Sequence, residues 1–112
     1  MDCIFCKIAN KQIPSETIYE DEKIMMFKDL DPKAPVHVLV IPKEHIASAN
    51  DITEENCNII AHIFKKIANL SANLNLKNGF RIVNNCGEDG GQTVNHLHFH
   101  VLAGRKLEWP PG

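Results

Sequence analysis

The spacing of hydrophobic positions changes several times along the chain, and each spacing predicts a different element. Residues 3–10 place apolar side chains at helical intervals, which predicts a short helix broken by Pro14. Runs of strand-forming residues then predict strands over 17–20, 23–28 and 36–41. The first two of these strands are separated by two acidic residues, which suggests a hairpin.

The most clearly patterned element is a long amphipathic helix over residues 53–75. Its apolar side chains recur at intervals of three and four residues: Ile59, Ile60, Ile63, Phe64, Ile67, Leu70 and Leu74. Asp51 or Thr53 can cap its start, and Asn78 and Gly79 follow its end. The helix is therefore expected to cover one face of a sheet.

Two further strands are predicted over 80–84 and 94–102, joined by a glycine-rich loop. The short links between neighbouring strands imply antiparallel pairing. We therefore predict an α+β fold, in which a five-stranded antiparallel sheet packs against one long and one short helix. All of residues 1–112 are assigned to a single domain.

Composition and charge restrict the function. The chain has 112 residues, 44% of them hydrophobic and 23% charged, which is typical of a soluble globular domain. A net charge of −2 without a basic stripe disfavours nucleic acid and anionic membranes as partners. No segment resembles a signal peptide or a membrane span, so we expect a cytoplasmic protein with reduced cysteines.

Three histidines alternate with apolar residues at the end of the chain. His96, His98 and His100 would share one face of a strand, and the residues between them would face the core. Such a row of imidazoles can bind a metal or perform nucleophilic and acid–base chemistry near neutral pH. The alternative is a polar strand face on which the histidines are incidental.

The loop over residues 87–93 leads directly into these histidines. Its glycines allow backbone N–H groups to approach an anion closely, and Gln92 and Thr93 add polar side chains. A loop of this kind is most often a plain hairpin connection. Beside the histidines, however, it makes phosphate the natural ligand.

These motifs together resemble the histidine triad family, and in particular its Hint branch of purine nucleoside phosphoramidases. The matching segments cover most of the chain in order: 4–8, 12–14, 36–46, 89–94, the triad at 96–100, 104–105 and the terminal Trp109-Pro110-Pro111-Gly112. The resemblance implies a homodimer that extends one sheet across its interface. It also implies hydrolysis of the bond between a purine nucleoside monophosphate and an amine or another leaving group.

The resemblance also assigns roles to residues. His98 would attack phosphorus and form a covalent nucleotidyl-histidine, with support from His37. His100 and Thr93 would contact the phosphate or the leaving group. The remaining nucleotide-binding residues, which hold phosphate oxygens or line the nucleoside pocket, would be Asn85, Gly91, Gln92, Phe5, Ile13, Phe27, Asp29 and Leu30. On residue type alone, several of these positions are more typical of core or turn residues.

Further hypotheses remain open. His100 favours hydrolysis, because relatives that transfer nucleotides carry glutamine at that position. The main activity could instead be cleavage of dinucleoside polyphosphates, although the ending at Trp109 favours the Hint branch. The protein could also be a nucleotide-binding adaptor with incidental hydrolysis, or a zinc-dependent structural protein.

The pair Cys3 and Cys6 has the spacing of two thiolate ligands for one zinc ion. Resemblance to microbial members of the family implies His45 and His96 as the other two ligands. Four protein ligands would make the zinc structural. A redox pair and two unrelated thiols are the alternatives. His62, on the long helix, is interpreted as an ordinary, partly exposed residue.

Overall fold

The computed structural model describes residues 3–74 and 76–112. The elements in order are α1 (Ile4–Ala9), β1 (Thr17–Glu20), β2 (Ile24–Lys28), β3 (Val36–Pro42), a short 3₁₀ helix (Ala49–Asp51), α2 (Cys57–Leu70), β4 (Arg81–Val83) and β5 (Phe99–Ala103). The five strands form one sheet in the order β1-β2-β3-β5-β4, and every pair is antiparallel. The predicted α+β fold, with one long and one short helix, is confirmed.

The two faces of the sheet bury separate hydrophobic clusters because side chains alternate along each strand. On one face, the strands and the segment before β5 pack against Ile63 and Ile67 of α2. On the other face, Met25, Phe27, Leu39 and Ile41 pack against α1, including its residue Phe5. Leu97, Phe99 and Val101 belong to the α2 cluster, as the alternation predicted.

Helix α2 is shorter than the predicted span of 53–75, whose last position lies outside the described residues. The Asn56 side chain accepts from Thr53 N at 2.7 Å and donates to the Asp51 carbonyl at 3.2 Å, which holds this segment as turns. The expected caps at Asp51 and Thr53 are therefore wrong, and Asn56 immediately precedes the helix. Within the described ranges, no helix has the length and apolar character needed to cross a bilayer.

Strand β5 begins at Phe99, five residues later than predicted. The preceding backbone bonds to groups outside a strand ladder: Leu97 N donates to Ile46 O at 2.6 Å, and Asn84 Nδ2 donates to His98 O at 2.9 Å. His96 and His98 therefore lie in an irregular segment just before β5. These contacts hold the two histidines in place without sheet pairing.

A hydrogen-bond network joins the β1–β2 hairpin to α2. Asp21 Oδ2 accepts from Tyr19 and lies 2.7 Å from His62 Nε2, while Oδ1 accepts from the backbone of Lys23 and Ile24. Partial burial acts to raise the pKa of Asp21, but the hydrogen bonds from His62, the backbone and Tyr19 hold that pKa well below its usual range. His62 is thus part of a connection between elements, which its sequence position did not indicate.

Replacing the carboxylate of Asp21 should destabilise the fold. We expect Asp21→Asn to lower the free energy of unfolding by about 1–2 kcal/mol, because an amide cannot accept all of these hydrogen bonds. Since folding depresses the pKa of Asp21, its stabilising contribution is present above the unfolded value of about 3.9 and is lost as the pH falls. Urea unfolding at pH 7 and pH 3 measures both effects. The matched control is Asp89→Asn in the exposed loop, and equal stability of the two variants would contradict the prediction.

Candidate active site

A cleft with a volume of about 290 Å³ opens between α1 and the sheet. Its lining includes the polar residues His98, His100 and Thr93 together with a set of apolar side chains. The lining side chains that define the apolar wall are Ile4, Phe5, Ile8, Ile13, Phe27, Leu39 and Val94. The cleft therefore combines an apolar wall with a few polar groups, as small-molecule sites usually do.

The environment of His98 determines which of its nitrogens is free. Nδ1 lies 2.8 Å from the backbone oxygen of His96, so the Nδ1–H donates there and Nε2 carries the lone pair. The ring is 4% exposed and makes an edge contact with Phe5, with centroids 5.1 Å apart. In its neutral form, His98 is therefore held in one tautomer, with the lone pair on Nε2 available for attack.

His100 is tied to His37, whose tautomer is set by the backbone. Lys33 N donates to His37 Nδ1 at 3.0 Å, so the proton of neutral His37 resides on Nε2. That nitrogen lies 2.9 Å from His100 Nδ1 and 3.3 Å from Asp29 Oδ2. Neutral His100 therefore carries its proton on Nε2. Burial, together with the neighbouring His98 and His37, lowers the pKa of His100 to about 4.

The glycine-rich loop is held in place by side-chain hydrogen bonds. Gln92 donates to the carbonyls of Ala47 and Val94 at 2.8 and 3.0 Å, and its Oε1 accepts from Gly87 N at 2.9 Å. Asn85 Nδ2 donates to Gly90 O at 2.6 Å. A Cβ on Gly90 would lie 2.3 Å from a backbone oxygen, so no side chain fits at that position. These contacts fix the approach to the histidine segment.

A second cluster lies where α1 meets the histidine segment. The Sγ atoms of Cys3 and Cys6 and the Nδ1 atoms of His45 and His96 all lie within 4.8 Å of one another. Cys3 Sγ and His96 Nδ1 are 3.3 Å apart, Cys6 Sγ and His45 Nδ1 are 3.2 Å apart, and the two Nδ1 atoms are also 3.2 Å apart. Ligand atoms around tetrahedral zinc are separated by about 3.3–3.8 Å, so this donor set fits such an ion.

His96 is prepared for ligation through one nitrogen. Its Nε2 lies 2.8 Å from Pro42 O, so the Nε2–H donates there and Nδ1 faces the thiols. Burial lowers the pKa of this fully buried imidazole, which favours the neutral form that metals bind. Burial and the neighbouring Cys3 raise the pKa of the Cys6 thiol, so binding a cation there would release a proton.

The structure brings most of the residues singled out from sequence to the two clusters. The cleft is lined by Phe5, Ile13, Phe27, Asp29, Leu30, Thr93, His98 and His100, with Leu30 at the rim and 96% exposed. Asn85, Gly91 and Gln92 do not line it. His37 reaches the site through His100.

Sequence reasoning missed the groups that hold the histidines. These are the Pro42 carbonyl, the Asn84 side chain and the Lys33 amide. Two of the three are backbone atoms, which no residue type could have indicated. The position of Asn84, just before the loop, was the only available signal.

The chain has close relatives over nearly its whole length. Residues 2–108 match the family described as "Scavenger mRNA decapping enzyme C-term binding". An uncharacterized HIT-like protein of Synechococcus elongatus is 46% identical over 99% of this chain and 97% of its own length. One from Synechocystis is 44% identical, with the same coverage of 99% and 97%.

Solved structures resemble it equally closely. A HIT family hydrolase from Legionella pneumophila has a TM-score of 0.96 and 43% identity, covering 99% of this chain and 100% of that chain. A histidine triad protein from Clostridium difficile has a TM-score of 0.93 and 51% identity, covering 96% of this chain and 95% of that chain. These likenesses extend over the elements that form the cleft.

Proposed function

Because this chain belongs to the histidine triad family, we propose that it is a hydrolase that releases a purine nucleoside monophosphate from an amine or another leaving group. The single observation that carries the proposal is the tautomer of His98. Its Nδ1–H is bonded to His96 O, and its free Nε2 belongs to a residue that lines the cleft. A neutral imidazole held in this way is a suitable nucleophile.

The reaction proceeds in two displacements. His98 Nε2 attacks phosphorus, the bond to the leaving group breaks, and a nucleotidyl-histidine forms. Water then cleaves the new P–N bond and releases the monophosphate. Division of one difficult step into two easier ones is the advantage of covalent catalysis.

His100 stabilises the phosphoryl group. Its Nδ1 accepts the proton of His37, so its own Nε2–H is free to donate to a phosphate oxygen. The lowered pKa of about 4 keeps His100 a neutral donor at pH 7. Thr93, which also lines the cleft, would add a hydroxyl donor. Asn85 and Gln92 would then act by shaping the loop, since their side chains bond to the backbone of the loop and of its neighbours.

The apolar wall binds the nucleoside. Phe5 and Phe27 pack at an angle of 66° with ring centroids 5.8 Å apart, and both border the cleft. A flat base is accommodated by such a wall through apolar contact. Asp29 also lines the cleft and would accept hydrogen bonds from ribose hydroxyls.

Zinc at Cys3, Cys6, His45 and His96 would have a structural role. Bound there, the ion supplies a cross-link between α1 and two loops, and four protein ligands leave no position for a reacting water. The fit is supported by the ligand-atom separations and by the Pro42 carbonyl that orients His96. His96 would therefore orient the nucleophile His98 through its backbone oxygen, which accepts a hydrogen bond from His98 Nδ1.

A homodimer would complete the site. In the described part of the chain, β4 pairs on one side only, with β5, and its other edge can extend the sheet with a second copy. Trp109 is 80% exposed near the end of the chain, as expected for a residue that contacts the partner. A small domain gains pocket surface in this way.

The experiment is turnover of an adenosine phosphoramidate, followed by AMP release and by intact mass after acid-free quenching. We expect multiple turnovers and a transient mass increase equal to one adenylyl group. Binding of AMP without release from the phosphoramidate would contradict the proposal and favour an adaptor. Much faster cleavage of a dinucleoside polyphosphate would assign the main activity to that reaction.

A further inference from the structure

We propose that Asp29 couples recognition of the ribose to alignment of the phosphate-binding histidine, so that ribonucleotides are selected in kcat and not only in KM. The inference rests on the proposed function, in which Asp29 accepts hydrogen bonds from the ribose hydroxyls, and it adds a substrate preference to that function. The coupling runs through His37, whose Nε2 lies near both the Asp29 carboxylate and His100. Asp29 is thereby a specificity-determining residue, and His37 is a positioning residue.

The His37 side chain has one proton and two neighbouring groups that attract it. Because Lys33 N donates to Nδ1 at 3.0 Å, the proton of neutral His37 lies on Nε2. This nitrogen lies 2.9 Å from His100 Nδ1, an ordinary hydrogen-bond distance, and 3.3 Å from Asp29 Oδ2, just beyond that range. His100 Nδ1 therefore accepts the hydrogen bond, and the carboxylate competes with it for the same proton.

The Asp29 carboxylate is held against His37 by backbone hydrogen bonds. Asp29 N donates to His37 O at 3.1 Å, and Asp31 N donates to Asp29 Oδ1 at 2.8 Å. The contact is largely shielded, because the side chain of Asp29 is 19% exposed and that of His37 is 4% exposed. Burial and the neighbouring histidines lower the pKa of His100, whereas the charge of Asp29 acts to raise it. The carboxylate and the two imidazoles are therefore linked electrostatically.

The hydroxyls of a bound ribose would decide the competition for this proton. A nucleotide in the cleft displaces water from Asp29, and its hydroxyls replace the hydrogen bonds that the carboxylate loses. The His37 proton then stays with His100 Nδ1, which leaves the His100 Nε2–H as the donor to phosphate. A 2′,3′-dideoxyribose displaces the water without supplying a donor, so the carboxylate draws the His37 proton away from His100. Binding energy from a remote part of the substrate is thus used at the reacting group.

The test compares two adenosine phosphoramidates, one with ribose and one with 2′,3′-dideoxyribose. We expect kcat to be about tenfold lower for the dideoxy substrate, the scale of one hydrogen bond to a charged group. His37→Asn keeps an oxygen that can accept from Lys33 N but removes the donor to His100, so the ratio of the two kcat values should approach one. His37→Gln restores a donor near the position of Nε2 and should recover part of the ratio.

Affinity separates the coupling from ribose binding itself. Both His37 variants keep Asp29, so they should still bind AMP more tightly than 2′,3′-dideoxy-AMP, whereas Asp29→Asn should lose this preference together with the kcat ratio. The matched control is Asp31→Asn, which should keep both, because Asp31 lies in the same turn but has an 85% exposed side chain paired with Lys33. Equal kcat for the two substrates in the unmodified protein, or a ratio that persists in folded His37→Asn, would overturn the inference and leave the hydrolysis in place.

Nuclear magnetic resonance tests the coupling without turnover. In protein with ¹⁵N-labelled histidine, AMP should move the His37 Nε2–H resonance further downfield than 2′,3′-dideoxy-AMP does, because the hydrogen bond to His100 is stronger. Equal shifts would overturn the inference even if both phosphoramidates were cleaved. Cleavage of neither phosphoramidate by a protein that shows the expected shifts would refute the hydrolysis but not the link between Asp29 and His100.

Discussion

Replacement of His98 by alanine should lower kcat for AMP release by about 10⁴-fold or more, since nucleophiles of covalent enzymes contribute on this scale. The expected loss follows from the geometry. The Nδ1–H of His98 donates to His96 O, so Nε2 is the nitrogen of His98 that is available to the cleft. Neither neighbouring histidine can replace it, because His96 is 0% exposed and His100 Nδ1 is bonded to His37.

Several readouts separate this effect from misfolding. Affinity for AMP should change by less than about tenfold, because the apolar wall and His100 remain. Intact mass should show no adduct in the variant, whereas the unmodified chain shows one transiently. His62→Ala, which removes a histidine that does not line the cleft, serves as the matched control and should retain turnover even though it loses the contact with Asp21. Retention of turnover by His98→Ala would refute the covalent mechanism.

Loss of the thiolate at position 6 should destabilise the protein severely. We expect Cys6→Ser to lower the melting temperature by at least about 10 °C, because structural zinc contributes several kcal/mol to folding. The same change should lower activity, since His96 both contacts the thiols and provides the oxygen that orients His98. Chelation of the unmodified protein should reproduce the thermal effect.

The matched control is Cys57→Ser, because Cys57 is exposed at the start of α2 and its Sγ donates to the Glu54 carbonyl at 3.6 Å. Metal analysis should find about one zinc per chain in the unmodified protein and in this control, and much less in Cys6→Ser. Unchanged melting temperature and undetectable zinc in all three proteins would refute the zinc proposal. The hydrolysis proposal would survive that result.

Much of the fold was predictable because it depends on local spacing. The apolar pattern of α2 and the alternation in β3 reflect the faces that they bury; α2 forms within its predicted span, and β3 begins at the predicted residue. The residues at which α2 and β5 begin were less predictable. The start of α2 depends on Asn56 side-chain bonds, and the start of β5 depends on an amide that bonds to Ile46. Side-chain hydrogen bonds to the nearby backbone, and backbone hydrogen bonds to distant residues, do not produce a periodic pattern in the sequence.

In the candidate site, too, the features that depend on local spacing were predictable, and the features that depend on groups distant in sequence were not. Alternation correctly placed the imidazoles on one side of the segment, and the Cys3 and Cys6 spacing pointed to a cluster. The tautomers, in contrast, are set by carbonyl and amide groups at Pro42 and Lys33, far away in sequence. Gln92 is a polar residue beside the site, yet the structure uses it to brace a loop. Residue type alone does not distinguish these two uses.

Residues 97–101 use one stretch of chain for two purposes, and this restricts how the protein can change. Leu97, Phe99 and Val101 fill the core, while His98 and His100 face the cleft. Insertion or deletion of one residue here would exchange the two sets, burying imidazoles and exposing apolar groups. Variation in length must therefore be confined to the flanking loops. Within this segment, divergence can proceed only by substitution.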